Sequence, residues 1–129
     1  MKKKNTLLAI GILLLSTVIM FSSCKKKSTT PEVSAPTFVA TSQPNGTDYF
    51  DIYLKCTSND ILLTKVIIKD PFSNTYTYTG NQQLWVKDEI ITFPDSYPKS
   101  SGTWILTIYG NRTDNSSFVS TCTLLIAGK

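Results

Sequence analysis

The chain has 129 residues, 41% hydrophobic and 17% charged, with three Cys and no His. That length accommodates one ordinary domain, and the lack of His excludes Ser-His-Asp and Cys-His nucleophile pairs and His-based zinc sites. The formal charge of +4 comes from the N-terminal part, since Thr37–Lys129 holds seven Lys+Arg against eight Asp+Glu, net −1; nucleic-acid binding is therefore not expected.

The first element is a leader. Met1-Lys2-Lys3-Lys4-Asn5 is a basic start, Leu7 to Phe21 is an almost unbroken apolar run, and Ser22-Ser23 are small residues before Cys24. A charged start, a short apolar middle and a small-residue exit predict a secretory signal peptide. The competing reading is a membrane anchor, but the fifteen residues of the run reach only about 22 Å as a helix, short of a hydrocarbon core of roughly 30 Å. A Cys at the mature edge of such a leader resembles the lipobox of bacterial lipoproteins. The resemblance implies cleavage between Ser23 and Cys24 and lipidation of Cys24, a role suited to a thiol nucleophile. Phe21 and Ser23 stand where the commonest lipobox has Leu and Gly or Ala. The looser Phe-Ser-Ser-Cys form followed by lysines is similar to the lipoproteins of Bacteroidota, which implies attachment to the outer membrane. Lysines rather than an acidic run follow Cys24, so the periplasmic face is expected over the cell surface.

Residues 24–36 then read as the lipidated Cys and a tether. Lys25 to Pro36 is polar and Pro-punctuated, with almost nothing to bury.

From Thr37 onward Thr, Val, Ile, Tyr and Phe are abundant and no sustained 3.6-residue period appears, so the chain reads as strands. Seven are expected: 37–41, 49–57, 61–69, 74–79, 89–93, 103–110 and 117–127. Asn45-Gly46, Ser58-Asn59-Asp60, Asp70-Pro71, Gly80-Asn81, Pro94-Asp95, Ser101-Gly102 and 111–116 supply the breaks. The segment 81–88 reads as a loop or a short strand around Leu84-Trp85-Val86. Alternation places Phe50, Ile52, Leu54 and Cys56 on one face and Tyr49, Asp51, Tyr53 and Lys55 on the other. Trp104, Leu106 and Ile108 form a second inward face, and Phe118, Cys122, Leu124 and Ile126 a third, interrupted by Ser120. In 61–69 the two registers nearly tie; Leu62, Val66 and Ile68 are assigned inward because this turns Lys65 and Lys69 outward. The expected fold is all-β, an antiparallel two-sheet sandwich over residues 37–129.

The run Ser101-Gly102-Thr103-Trp104-Ile105-Leu106-Thr107-Ile108-Tyr109-Gly110 resembles the Gly-x-Trp-x-hydrophobic strand late in many bacterial immunoglobulin-like or fibronectin-like modules. The antibody hallmarks are absent: Ser120 stands two residues before Cys122 where a Tyr would be, and no Trp follows Cys56 closely. The resemblance implies shared architecture and no particular partner.

Few residues suggest chemistry. Cys56 and Cys122 both fall on inward faces, and an exported protein meets an oxidising compartment, so a disulfide is one reading and two separate buried thiols the other. Asp88-Glu89 is the only adjacent acidic pair, but neighbours in a strand point to opposite faces and would not converge for acid–base work. The other carboxylates lie mainly near turns. No calcium loop or phosphate-cradling glycine loop occurs, so neither a metal nor a cofactor is expected, and neither is an enzyme. Tyr76 and Tyr78 share a face of Thr-Tyr-Thr-Tyr-Thr, and with Trp85 they form a candidate ligand platform, since exposed rings stack on sugars and anchor protein partners. The same rings also suit the margin of a sheet. The expectation is a lipid-anchored envelope protein that binds an unidentified protein or glycan or serves a structural role, with a glycan-binding accessory of nutrient uptake as the alternative.

Overall fold

The computed structural model describes residues 33–128; the leader, Cys24 and most of the tether lie outside the described residues. Alternating apolar side chains produce eight strands and, among the described residues, no helix: β1 (Phe38–Asn45), β2 (Tyr49–Cys56), β3 (Ile61–Lys69), β4 (Thr75–Trp85), β5 (Ile90–Thr92), β6 (Tyr97–Pro98), β7 (Gly102–Arg112) and β8 (Ser117–Ile126). All pairings are antiparallel. One sheet has the order β1-β2-β5, with β6 also beside β2, and the other β4-β3-β7-β8. The chain changes sheet after β2, after β4 and after β6. The two sheets form an antiparallel β-sandwich, with β4 at the outer edge of β3.

The inward faces of β2 and β7 are as the alternation predicts. Phe50, Ile52, Leu54 and Cys56 meet Trp104, Leu106 and Ile108, with Ile91 of β5 and Tyr97 of β6 completing the layer. Each large apolar side chain buried here contributes about 1.5–3 kcal/mol. Trp104 is fully buried; Phe50 meets its ring edge-on at 5.0 Å, and its Nε1–H donates to the Ser100 carbonyl at 3.0 Å, so no polar atom of the indole is stranded.

β3 departs from the expected facing. Val66 and Ile68 are buried, but Ile61 and Leu63 are buried in place of Leu62. The reason is a bulge: Leu63 pairs with Gly110 and Lys65 with Tyr109, leaving Thr64 unopposed on β7. One extra residue changes the parity of everything before it, so both registers are used in one strand. On the other side Thr64 faces three residues of β4, because Leu63 pairs with Gln83 and Lys65 with Thr79. The surplus is absorbed by Asn81 and Gln82 at φ of 51° and 59°. Thus 81–85 is neither a loop nor a separate strand but the continuation of β4. The two glycines beside the bulge are required by close approach. A Cβ at Gly80 would lie 2.5 Å from the Leu63 carbonyl oxygen, and one at Gly110 2.5 Å from that of Leu62.

The domain also starts earlier than Thr37. Pro36 is fully buried, its carbonyl accepts from Ser120 Oγ at 2.7 Å, and the Ser34 carbonyl accepts from Arg112 Nη2 at 2.6 Å. Ser120, which interrupts the apolar face of β8, therefore fixes the entering chain. Among the described residues no helix is long and apolar enough to cross a membrane.

Candidate functional site

Tyr76 and Tyr78 do share a face, and it is the inner face of β4. Tyr76 packs edge-on to Tyr97 at 5.2 Å and stacks on Trp104 at 6.3 Å, while Tyr78 meets Phe93 edge-on at 5.1 Å. Trp85 lies across from Ile61, partly buried against the core, with its Nε1–H buried and unpartnered. These three side chains close the margin between the edge strand β4 and the opposite sheet, and they do not rise together from an exposed surface.

Cys56 and Cys122 are free thiols. Phe38 is the cross-strand neighbour of Cys56, and its ring lies 6.0 Å from that of Phe118. Cys56 is buried in the core and Cys122 is partly buried against it, with no bond between them. Burial pushes the Cys122 thiol up to about 11, so it is neutral at ordinary pH and a poor nucleophile.

Asp70, Asp88, Glu89 and Asp114 serve turns. Asp70 is buried at 6% exposure and accepts from the Phe72 N–H at 2.9 Å, the Asn74 N–H at 2.8 Å and Asn74 Nδ2 at 2.7 Å. Burial alone would raise its pKa, but these bonds, with one from the Tyr76 hydroxyl, outweigh burial and hold the carboxyl below its ordinary value. The Tyr76 hydroxyl moves up in turn, through burial and the adjacent Asp70 charge. Asp114 is held low by Ser116, whose hydroxyl and N–H both donate to it. Asp88 and Glu89 belong to a tight turn: Asp88 has φ of 68° and Glu89 Oε2 accepts from the Val86 N–H at 3.0 Å. Among the described residues no three His, Cys, Asp or Glu side chains gather as metal ligands would.

The arrangement best suited to a ligand lies elsewhere, on the outer face of β1-β2-β5. Register stacks its side chains in rows across the sheet. Val39, Lys55 and Ile90 form one row, and Thr41, Tyr53 and Thr92 the next. Gln43 then stands beside Asp51, and Tyr49 lies between Asn45 and Pro98. The first two rows line an open depression of about 520 Å³. Val39 and Ile90 are 47% and 58% exposed, so apolar surface is left at its rim. Asp51 is occupied: Ser96 Oγ donates to it at 2.6 Å and Asn45 Nδ2 at 3.2 Å. No hydrogen bond or ion pair engages the Lys55 ammonium among the described residues. Alternation had placed Tyr49, Tyr53 and Lys55 outward without marking them as a site. The signal available was two tyrosines and a lysine on the polar face of the strand whose other face is the core.

In comparison with known proteins, the chain matches no family model, no curated protein and no solved structure.

Proposed function

We propose that the protein is a non-catalytic binding module of the bacterial cell envelope, anchored to the outer membrane through lipid on Cys24 and binding its partner on the outer face of β1-β2-β5. The observation that carries the binding role is the depression beside Tyr53 and Lys55. It combines exposed apolar area, an aromatic ring and side-chain donors that no neighbour uses among the described residues, the composition of recognition sites rather than of idle surface. The leader supports the location: a basic start, a short apolar run and a Cys at its exit. Lysines following Cys24 favour the periplasmic side. A non-catalytic role is supported by the lack of His in the chain and by Asp70, Glu89 and Asp114 being committed to turns.

Two measurements test this reading. Labelled palmitate should enter the wild-type protein and not Cys24→Ser; a wild type that takes up no label and still fractionates with membranes removes the anchor. Immobilised full chain should retain a component of a detergent-solubilised bacterial envelope that Tyr53→Ala/Ile90→Ser does not retain. Equal retention by the folded double variant would show that this face is not the binding surface.

A further inference from the structure

We infer that the outer face of β1-β2-β5 takes an extended carboxylated saccharide, with its acid group at Lys55; this rests on that face being the binding surface. β2 is flanked by β1 along its full length and by β5 at Tyr53–Lys55, so its backbone donors and acceptors at the depression are already paired. A ligand lying there meets side chains alone. An extended peptide recognised through its backbone adds to a sheet edge, and β2, which carries Tyr53 and Lys55 in the middle of the depression, is not one. What it offers is the hydroxyls of Thr41, Tyr53 and Thr92 and the amide of Gln43, a mixture of donors and acceptors that matches a hydroxyl-rich chain. Tyr53 adds a ring surface for the apolar side of a sugar. Tyr49 adds a second on the same face of β2, about 13 Å along an extended strand, suited to an elongated ligand. The depression is open to solvent and spans side chains of β1, β2 and β5.

Charge selects among saccharides. Lys55 is the only charged side chain lining the depression, its stem lies between Val39 and Ile90, and its ammonium has no partner among the described residues. A long apolar stem flanked by apolar neighbours presents the ammonium at the surface, ready for a carboxylate. Asp51, the other charge on this face of β2, stands four residues away and is bonded to Ser96 and Asn45. Its negative charge places the acid group of the ligand at the Lys55 end.

The test titrates the full chain, purified in detergent, with an oligogalacturonate, with a neutral galactan oligosaccharide of equal length, and with an oligoglutamate of equal charge. The acidic saccharide is expected to bind about tenfold tighter than the neutral one, with the preference shrinking as salt is added. Lys55→Gln should abolish the preference and keep the neutral affinity, whereas Tyr53→Ala should weaken both, each variant retaining the wild-type circular dichroism and urea midpoint. Equal affinities in the wild type would overturn the acid assignment while leaving the binding face standing. A preference that survives Lys55→Gln would overturn the role of Lys55, and oligoglutamate binding as tightly as the saccharide would make the partner an acidic peptide. If none of the three probes binds, the saccharide assignment is lost. The envelope-retention experiment with Tyr53→Ala/Ile90→Ser then decides separately whether the face binds anything.

Discussion

The two outer faces of the sandwich are built by the same alternation and end differently. On β4-β3-β7-β8 the polar side chains are used by one another. Lys65 Nζ sits 4.6 Å over the Tyr109 ring, Gln82 Nε2 donates to Thr64 at 3.0 Å, and Asn111 Nδ2 donates to Gln82 at 3.2 Å. Much of the remainder is β-branched, as in the cross-strand row Thr77, Ile67, Thr107 and Thr121. On β1-β2-β5, Asp51 is satisfied but Tyr53 and Lys55 line an open depression. Alternation decides which side chains reach solvent; pairing decides whether their neighbours consume them. Lys65 receives a tyrosine across the ladder, while Lys55 receives Val39 and Ile90.

The largest perturbation should remove both faces together. Trp104 is the hub of the inner layer, in ring contact with Phe50, Tyr76 and Tyr97. Trp104→Ala is expected to cost about 3–5 kcal/mol, read as a lowered urea midpoint. A loss below about 1 kcal/mol would mean that the sheets do not depend on this ring for their packing. Gly110→Ala should act on one sheet first. Its Cβ would lie 2.5 Å from the Leu62 carbonyl and 2.8 Å from the Phe118 ring, and relieving those contacts should cost about 1–3 kcal/mol. Hydrogen exchange is expected to quicken in β3, β7 and β8 before β2. A uniform change would indicate that the two sheets open as one unit.

How much of this was legible in the sequence follows the same division between alternation and pairing. Phe50 to Cys56 and Trp104 to Ile108 alternate cleanly, so the core of each sheet could be read directly. Leu62 could not, because parity fails across a bulge and nothing about Thr64 marks it as the extra residue. Gly80-Asn81 looked like a break, and its turn-forming chemistry was real, but Asn81 and Gln82 spend their positive φ inside β4. β6 is only two residues long, too short to show a period. For the candidate site, the outward position of Tyr49, Tyr53 and Lys55 was readable, yet its meaning depends on which strands flank β2. That is a long-range property: β5 lies more than thirty residues away in the chain. The same argument explains Tyr76 and Tyr78, whose shared face was clear while its direction was set by the register with β3.

A third experiment probes the end of the sandwich where β6 meets β2. Burial, with the charges of Asp95 and Tyr76 nearby, pushes the Tyr97 hydroxyl up to about 12 from an ordinary 10.0. The folded state therefore holds the proton more tightly than the unfolded chain. The associated stability is complete below the unfolded value near pH 10 and is lost as pH rises through the folded value near 12. After discounting for solvent screening, a decline of about 1–2 kcal/mol is expected over that window. Tyr97→Phe should flatten it relative to wild type, leaving the smaller contribution of Tyr76, whose pKa is raised in the same direction. An undiminished decline in Tyr97→Phe would place its source elsewhere.

The smallest effect is the sharpest test of the comparison itself. Lys65→Gln removes an ammonium that lies over the Tyr109 ring, and an exposed cation–π contact contributes about 0.5–1 kcal/mol. Lys55→Gln removes an ammonium with no partner among the described residues and keeps much of the stem between Val39 and Ile90, so its effect should be within about 0.3 kcal/mol of zero. The two substitutions are chemically identical and lie on central strands of the two sheets. Their difference in urea midpoint, measured side by side at low salt, isolates what the neighbours provide. Equal losses would mean that Lys55 is engaged within the domain, and the depression would then have no cation free for a ligand. A loss at Lys65 alone, with saccharide binding changed only by Lys55→Gln, separates the lysine that stabilises the fold from the lysine left for recognition.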